Sequence, residues 1–377
     1  MITLQRRAVQ VRTFPLFRAD DVSGLRDALR RGDLIGADIV AVTGKTEGEG
    51  GPDDRSRAAI DNAIRALVSE LTSLSTQAIA EIPMNFSGGS GGVISPHFTV
   101  FTASAVEPTL PSGSGGVGRL VIGRGVSAPI PAEQLGRLGL VDAVAAAVDT
   151  GLGDAGITPD RAAYAMVKNP MLTPALIADA ERRGASVIDP PHGLSALFRQ
   201  SGGTALGAAL ALGDVQRPAE EQIGVDTSLY SSRVSASSGT ESDRAQALVF
   251  GNAVDAPGSL SVGHAEMTDA LDVAALHRAC RAAGLDVPDF ADPATFAHRV
   301  AAIFVKCNPT DDGTLRGYPQ SQEGGAWDRK YTTQLKASVG GMFAAALGNP
   351  AFYISGAGIH QGPPGGGSVV VIADHSA

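Results

Sequence analysis

Cysteine is scarce in this chain of 377 residues: there are two, Cys280 and Cys307. Two thiols supply neither a disulfide framework nor the Cys/His spacing of a zinc site. Cys280 falls in a helical pattern and reads as core. Cys307 stands beside Lys306, where a buried free thiol is a better expectation than a bridge to another subunit. The seven histidines form no His-x-x-x-His or His-x-His pair, which argues against a catalytic zinc. His97 and His360 therefore read as loop-packing groups. No uncharged apolar run is long enough to span a bilayer, and residues 1–7 lack the apolar core of a signal peptide. Positive charge is also in deficit, with 30 Lys and Arg against 39 Asp and Glu and a net charge of -9. That balance argues against broad contact with nucleic acid or anionic membranes, and a cytoplasmic location is the expectation. Nucleotide motifs are missing too. Residues 113–118 are glycine-rich but lack the Gly-Lys-Ser/Thr of a phosphate loop. Gly123-Arg124-Gly125 is followed by Pro129 and Pro131 where a phosphate-binding helix should run.

What is present is a globular composition, 44% hydrophobic and 18% charged, with 47 glycines that imply many tight turns. One event occurs three times. An apolar strand ends in lysine at Ile39-Val40-Ala41-Val42-Thr43-Gly44-Lys45, at Tyr164-Ala165-Met166-Val167-Lys168, and at Ala302-Ile303-Phe304-Val305-Lys306. Tens of residues later, a β-type run ends in serine and glycine: Asn85-Phe86-Ser87-Gly88-Gly89, Val234-Ser235-Ala236-Ser237-Ser238-Gly239, and Tyr353-Ile354-Ser355-Gly356.

The surrounding pattern repeats as well. The first pass predicts a strand over 9–16, a helix over 21–31 with Asp20 or Asp21 as its cap, a lysine strand over 39–45, a helix from Arg57, a strand over 78–86 and a closing strand over 98–101. The second predicts strands over 120–122, 162–167, 230–237 and 247–250, with helices over 132–148 and 203–212. The third predicts strands over 260–262, 299–305, 352–354 and 369–372, with helices over 268–283 and 331–347. The units are 1–104, 118–253 and 259–377, joined by linkers at 105–117 and 254–258. This is a triplicated α/β module, in which helices cover one face of each sheet. If the sheets meet about a pseudo-threefold axis, the Lys and Ser-Gly ends converge on it.

A lone Ser-Gly is usually a turn and a lone strand-end lysine a solvated charge; recurrence in one order changes that reading. Serine needs a base to take its proton. Lysine becomes that base when burial or neighbouring cations lower its pKa. A glycine after the serine lets a backbone N–H approach a ligand carbonyl. Such a pocket suits nucleophilic attack on a small ring amide. A non-catalytic small-molecule binding protein that kept the pocket is the rival reading.

At Gly44-Lys45-Thr46-Glu47-Gly48, Ser87-Gly88-Gly89 through Ser95-Pro96-His97, Ser237-Ser238-Gly239 and His360-Gln361-Gly362-Pro363, the chain resembles the cyclic amide hydrolases, ring-opening amidohydrolases that include barbiturase and cyanuric acid hydrolase. The resemblance covers essentially the whole chain. It implies a three-repeat "Toblerone" fold, a homotetramer, and a site of three Lys-Ser pairs on the pseudo-threefold axis. It implies Ser238 as nucleophile and Lys168 as general base. Lys45, Ser87, Lys306 and Ser355 would hold the other ring carbonyls, with Gly88, Ser237 and Gly356 beside them. Arg57 matches the substrate-binding arginine of the first repeat, Arg199 is the candidate in the second, and Lys336 stands at the third position. A lysine lacks the guanidinium fork, which turns the substrate expectation toward barbituric acid, then cyanuric acid, then neither. The resemblance also implies a structural cation, held by a glutamate after the third lysine and by carbonyls of a glycine-rich loop. Here that position is Asn308, while the loop residues Gly358, Gln361, Gly362, Pro363 and Gly366 are present, so the cation site is expected to be weak or absent. No other cofactor is implied.

Overall fold

The computed structural model describes residues 6–51, 53–89, 91–105, 117–188, 196–287, 292–293, 297–321, 329–356 and 358–376. The first unit contains β1 (Arg7–Pro15), α1 (Ser23–Arg31), β2 (Ile39–Lys45), α2 (Ser56–Leu71), α3 (Thr76–Ala80), β3 (Met84–Ser87) and β4 (His97–Ala105). The second contains β5 (Arg119–Pro129), α4 (Leu138–Ala155), β6 (Ala162–Pro170), α5 (Pro174–Arg182), α6 (Ala196–Ala211), β7 (Val234–Gly239) and β8 (Arg244–Ala253). The third contains β9 (Leu260–Met267), α7 (Ala274–Ala282), β10 (Val300–Cys307), a small hairpin of β11 (Thr314–Leu315) and β12 (Tyr318–Pro319), α8 (Arg329–Leu347), β13 (Tyr353–Gly356) and β14 (Gly367–Asp374).

Each unit forms its own four-stranded sheet, and the strand orders β1-β4-β2-β3, β5-β8-β6-β7 and β9-β14-β10-β13 are the same topology three times. In each, the lysine strand pairs parallel with the serine strand and antiparallel with the closing strand. Most of the first linker, 106–116, lies outside the described residues.

Each four-stranded sheet is buried on both faces along its central strands, which is why those strands read as continuous apolar runs. The outer face of each packs on its own helices in a separate core. The inner faces share one central core, to which all three sheets contribute. Phe101 of β4, Phe250 of β8 and Phe304 of β10 meet there, with ring centroids 5.3–6.3 Å apart. Phe304 also packs against Tyr164 and Tyr353 and is 1% exposed. Phe304→Ala should therefore destabilise the whole molecule by about 3–5 kcal/mol, read as a lower urea midpoint.

Several boundaries differ from the sequence reading. Residues 78–80 are helical, because Ser75 accepts a hydrogen bond from the Ala78 N–H and caps α3. A short apolar run does not distinguish strand from helix, and the cap decides. Neither Asp20 nor Asp21 is the N-cap of α1; Val22 is, while Asp21 closes a turn onto Ser23. α4 starts only at Leu138, after Gly136 takes a left-handed φ of 80°. α7 starts at Ala274, because Asp272 holds the preceding turn through Thr268. β7 starts at Val234 rather than at 230. Helix α5, begun by Thr173 as cap and Pro174 in its first turn, was not anticipated.

Candidate active site

Strand alternation aims the chemistry inward. In β6, Tyr164 and Met166 belong to the central core while Ala165 and Val167 face the helices, so Lys168 continues the inward face. Phe304 places Lys306 the same way. Lys45, Lys168 and Lys306 are each no more than 1% exposed. On the serine strands, Phe86, Ala236 and Ile354 pack outward, which turns the next residues, Ser87, Ser237 and Ser355, inward. Register agrees: Lys45 lies opposite Ser87, Lys306 opposite Ser355, and Lys168 opposite Ser237. Ser238 lies opposite Asn169 and its hydroxyl donates to Asn169 Oδ1 at 3.1 Å.

The units interlock at these strand ends. Ser87 Oγ donates to the Ile354 carbonyl at 3.4 Å, Ser237 Oγ to the Phe86 carbonyl at 3.4 Å, and Lys306 Nζ to the Ala236 carbonyl at 3.4 Å. Each accepting carbonyl precedes the inward serine of its own unit, so the contacts run in a closed circle around the axis. Lys45 Nζ is 3.3 Å from Ser87 Oγ and Lys306 Nζ is 3.0 Å from Ser355 Oγ. Lys168 Nζ reaches the Phe86 carbonyl at 3.0 Å, the same acceptor that Ser237 uses.

A cavity of about 90 Å³ lies above these groups. The first unit lines it with Arg57, Ser87 and Gly88, the second with Phe198, Ser201, Ser237 and Ser238, and the third with Thr332, Lys336, Ser355 and Gly356. Arg57 donates to the Gly51 carbonyl at 2.9 Å and to the Ser238 carbonyl at 3.3 Å. Lys336 Nζ is 3.4 Å from the Gly88 carbonyl. Arg199 is a correction. Its guanidinium donates to the Gly136 and Glu220 carbonyls at 3.1 Å and does not line the cavity. Its neighbours Phe198 and Ser201 occupy the inward side of α6 instead.

Electrostatics separate the three lysines. Burial pushes Lys45 well below the usual lysine range, helped by Lys336, Lys306 and Arg57. Burial pushes Lys306 down to about 7. Lys168 is also lowered by burial, but Glu241 opposes the shift. Glu241 Oε1 lies 2.5 Å from Lys168 Nζ, with both side chains nearly inaccessible. Sequence reasoning missed Glu241 entirely. Its signal, a carboxylate three residues after the Ser-Ser-Gly turn's first buried serine, has no counterpart at the other two turns.

These shifts tie stability to pH. An unfolded lysine titrates near 10.4, whereas Lys306 titrates near 7 when folded. Between those values the unfolded chain binds more protons, so stability rises with pH across that window and is lowest at and below its bottom. Lys306→Met should raise the urea midpoint at pH 7 and change it little at pH 10.5.

The comparisons with known proteins extend over the same residues. The sequence profile described as "Amidohydrolase ring-opening protein" matches residues 10–374. The chain belongs to this family. Barbiturase 2 of Nocardioides sp. is 40% identical over 377 residues, covering 98% of this chain and 100% of that one. A cyanuric acid amidohydrolase of Bradyrhizobium sp. is 36% identical over 385 residues, covering 100% of both. A solved cyanuric acid hydrolase structure superposes with a TM-score of 0.88 at 32% identity, covering 98% of this chain and 100% of that one. This ring-opening amidohydrolase is thus a hydrolase of C–N bonds in cyclic amides, with a three-sheet repeat architecture. No helix among its described residues is long and apolar enough to cross a membrane.

The cation implied for such ring-opening amidohydrolases meets a poor donor set here. Asn308 Oδ1 accepts the Gly358 N–H at 3.0 Å. Its Nδ2 then faces the carbonyls of Gln361, Gly362 and Pro363 at 3.3, 3.3 and 3.4 Å. The Gly366 carbonyl accepts the Asn308 backbone N–H at 2.8 Å. Amide protons are directed at the oxygens a divalent ion would use, and no carboxylate stands among them. Among the described residues no three His, Cys, Asp or Glu side chains gather as a metal site. These residues do not fit a divalent cation. His360 bridges loops: its Nε2 accepts the Gly224 N–H at 2.8 Å, leaving Nδ1 to donate to the Leu229 carbonyl at 2.6 Å. Burial pushes it down to about 4, so it is neutral.

Proposed function

We propose that this amidohydrolase opens a six-membered ring of the barbiturate or cyanuric acid type, with Lys168 as general base and Ser237 as nucleophile. The observation that carries the reading is the convergence of three inward serines on one small cavity, each with a buried lysine opposite it in the strand register. A ring with carbonyls at alternate positions offers one to each pair. The relatives named barbiturase, at 40% and 37% identity, and the lysine at position 336 favour barbituric acid as first substrate and cyanuric acid as second. Ser237 is preferred to Ser238 because it occupies the inward register position shared by Ser87 and Ser355.

In this reading Lys168 Nζ takes the Ser237 Oγ proton as Oγ bonds to a ring carbonyl carbon. The ring C–N bond breaks, and the departing nitrogen takes that proton. Water then adds to the acyl carbon, giving its proton to Lys168, and the Oγ–C bond breaks as Oγ is reprotonated. Lys45, Lys306 and Lys336 polarise the remaining carbonyls, and Arg57 braces the Ser238 turn. The experiment is incubation with barbituric acid, cyanuric acid and a panel of cyclic ureides and imides, followed by absorbance and mass. Loss of no ring would sink the reading.

We infer further that the fold needs no structural cation, because the Asn308 amide ties the carbonyl loop. A chelator should leave the melting temperature unchanged, while Asn308→Ala should cost about 1–3 kcal/mol by urea unfolding. The assembly proposed is the homotetramer that the resemblance implies, read by sedimentation.

A further inference from the structure

The pseudo-threefold symmetry of the site is broken at one charge. Lys168 carries a carboxylate partner, Glu241 Oε1 at 2.5 Å. Lys45 and Lys306 form no ion pair among the described residues; they contact their own serines and backbone carbonyls. The Glu241 side chain is 4% exposed, and Gly239 makes the room for it, since a Cβ there would fall 2.1 Å from Oε2. Neither Glu241 oxygen accepts a well-directed hydrogen bond, so the carboxylate serves Lys168 as a counter-charge rather than as part of a hydrogen-bond ladder. A buried carboxylate is costly unless it is paired, and Lys168 is its partner here.

We propose that Glu241 is the positioning residue of the reaction, completing a Ser237–Lys168–Glu241 relay that makes the second unit the reacting one. This rests on the reading above. Glu241 stays ionised throughout. Neutral Lys168 takes the proton of Ser237, and the ammonium so formed faces a carboxylate instead of an apolar core. The proton then passes to the departing ring nitrogen, and the Glu241 charge is unchanged. In the first and third units the same transfer would create an ammonium with no counter-charge, so those pairs bind. The other charges facing Glu241 are Arg57 and Asp61 of α2 and Lys168 of β6; Asp61 is itself held by Arg65. On its far side Glu241 borders a second cavity with Arg65, Glu81, Asp243 and Arg244 on its rim.

The test is Glu241→Gln, with Glu241→Asp as companion. In the wild type, turnover rises with pH as Lys168 loses its proton. Without the carboxylate Lys168 loses it more readily, so the rising limb of Glu241→Gln should move to lower pH. Its plateau kcat should fall by roughly 100-fold, with KM changed less than about twofold. Glu241→Asp should lie between, and it decides the matter if the Gln variant does not fold. A plateau that falls with the limb unmoved would mean a purely structural role and overturn the proposal. A second readout needs no turnover: with isotope-labelled lysine, the Lys168 amine resonance should titrate at lower pH in Glu241→Gln than in the wild type. Equal titration overturns the relay even if the wild type opens rings. If it opens none, the reading above fails while this readout still judges the Lys168–Glu241 coupling.

Discussion

Ser237→Ala should reduce ring opening by roughly 10⁴-fold or more, whereas Ser238→Ala should leave kcat within about tenfold. The two serines are neighbours, and a one-residue shift along a strand reverses the face a side chain presents. Ser237 shares the Phe86 carbonyl with Lys168, which places hydroxyl and amine around one acceptor. The Ser238 hydroxyl is spent on Asn169, and removing that bond costs about 1 kcal/mol of stability. A slowly hydrolysed substrate should load one acyl group on the wild type and on Ser238→Ala, and none on Ser237→Ala, by intact mass. Loss of activity in Ser238→Ala with activity kept in Ser237→Ala would return the nucleophile to Ser238.

Lys168→Met should lower kcat by about 10²–10⁴-fold, the usual contribution of a positioned base, with a smaller effect on KM. Lys168→Arg should do no better, since a guanidinium keeps its proton at any pH where the fold survives. Methionine conserves much of the buried stem but leaves Glu241 without its cation. The Lys168→Met/Glu241→Gln double variant should therefore be more stable by urea unfolding than Lys168→Met alone. If Lys168→Met retains wild-type turnover while Lys306→Met loses it, the reacting unit is the third.

Much of this arrangement is legible in the residues. The three lysine strands and the three serine turns announce the repeat, and their order fixes the unit topology. Inward alternation of Tyr164, Met166 and Lys168 is a period-two argument that needs no coordinates. What the sequence hides is register. Matching the turns on Ser-Gly selects Ser238, because Ser238 precedes Gly239 as Ser87 precedes Gly88. Pairing across to Lys168 selects Ser237, and pairing is a property of two strands rather than one. The same limit misplaced Arg199, since a helix turned by one residue presents Phe198 and Ser201 instead. Glu241 was invisible because its partner lies on another strand and its type is ordinary at a turn.

The closed circle of serine and lysine contacts onto the carbonyls of Phe86, Ala236 and Ile354 has a further consequence. Each module hands a donor to the next and receives one from the last, so none owns a finished third of the machinery. A severed two-module fragment would strand a donor at one cut face and an acceptor at the other. A single module could close this circle only by meeting two others, and one continuous chain makes that meeting unimolecular.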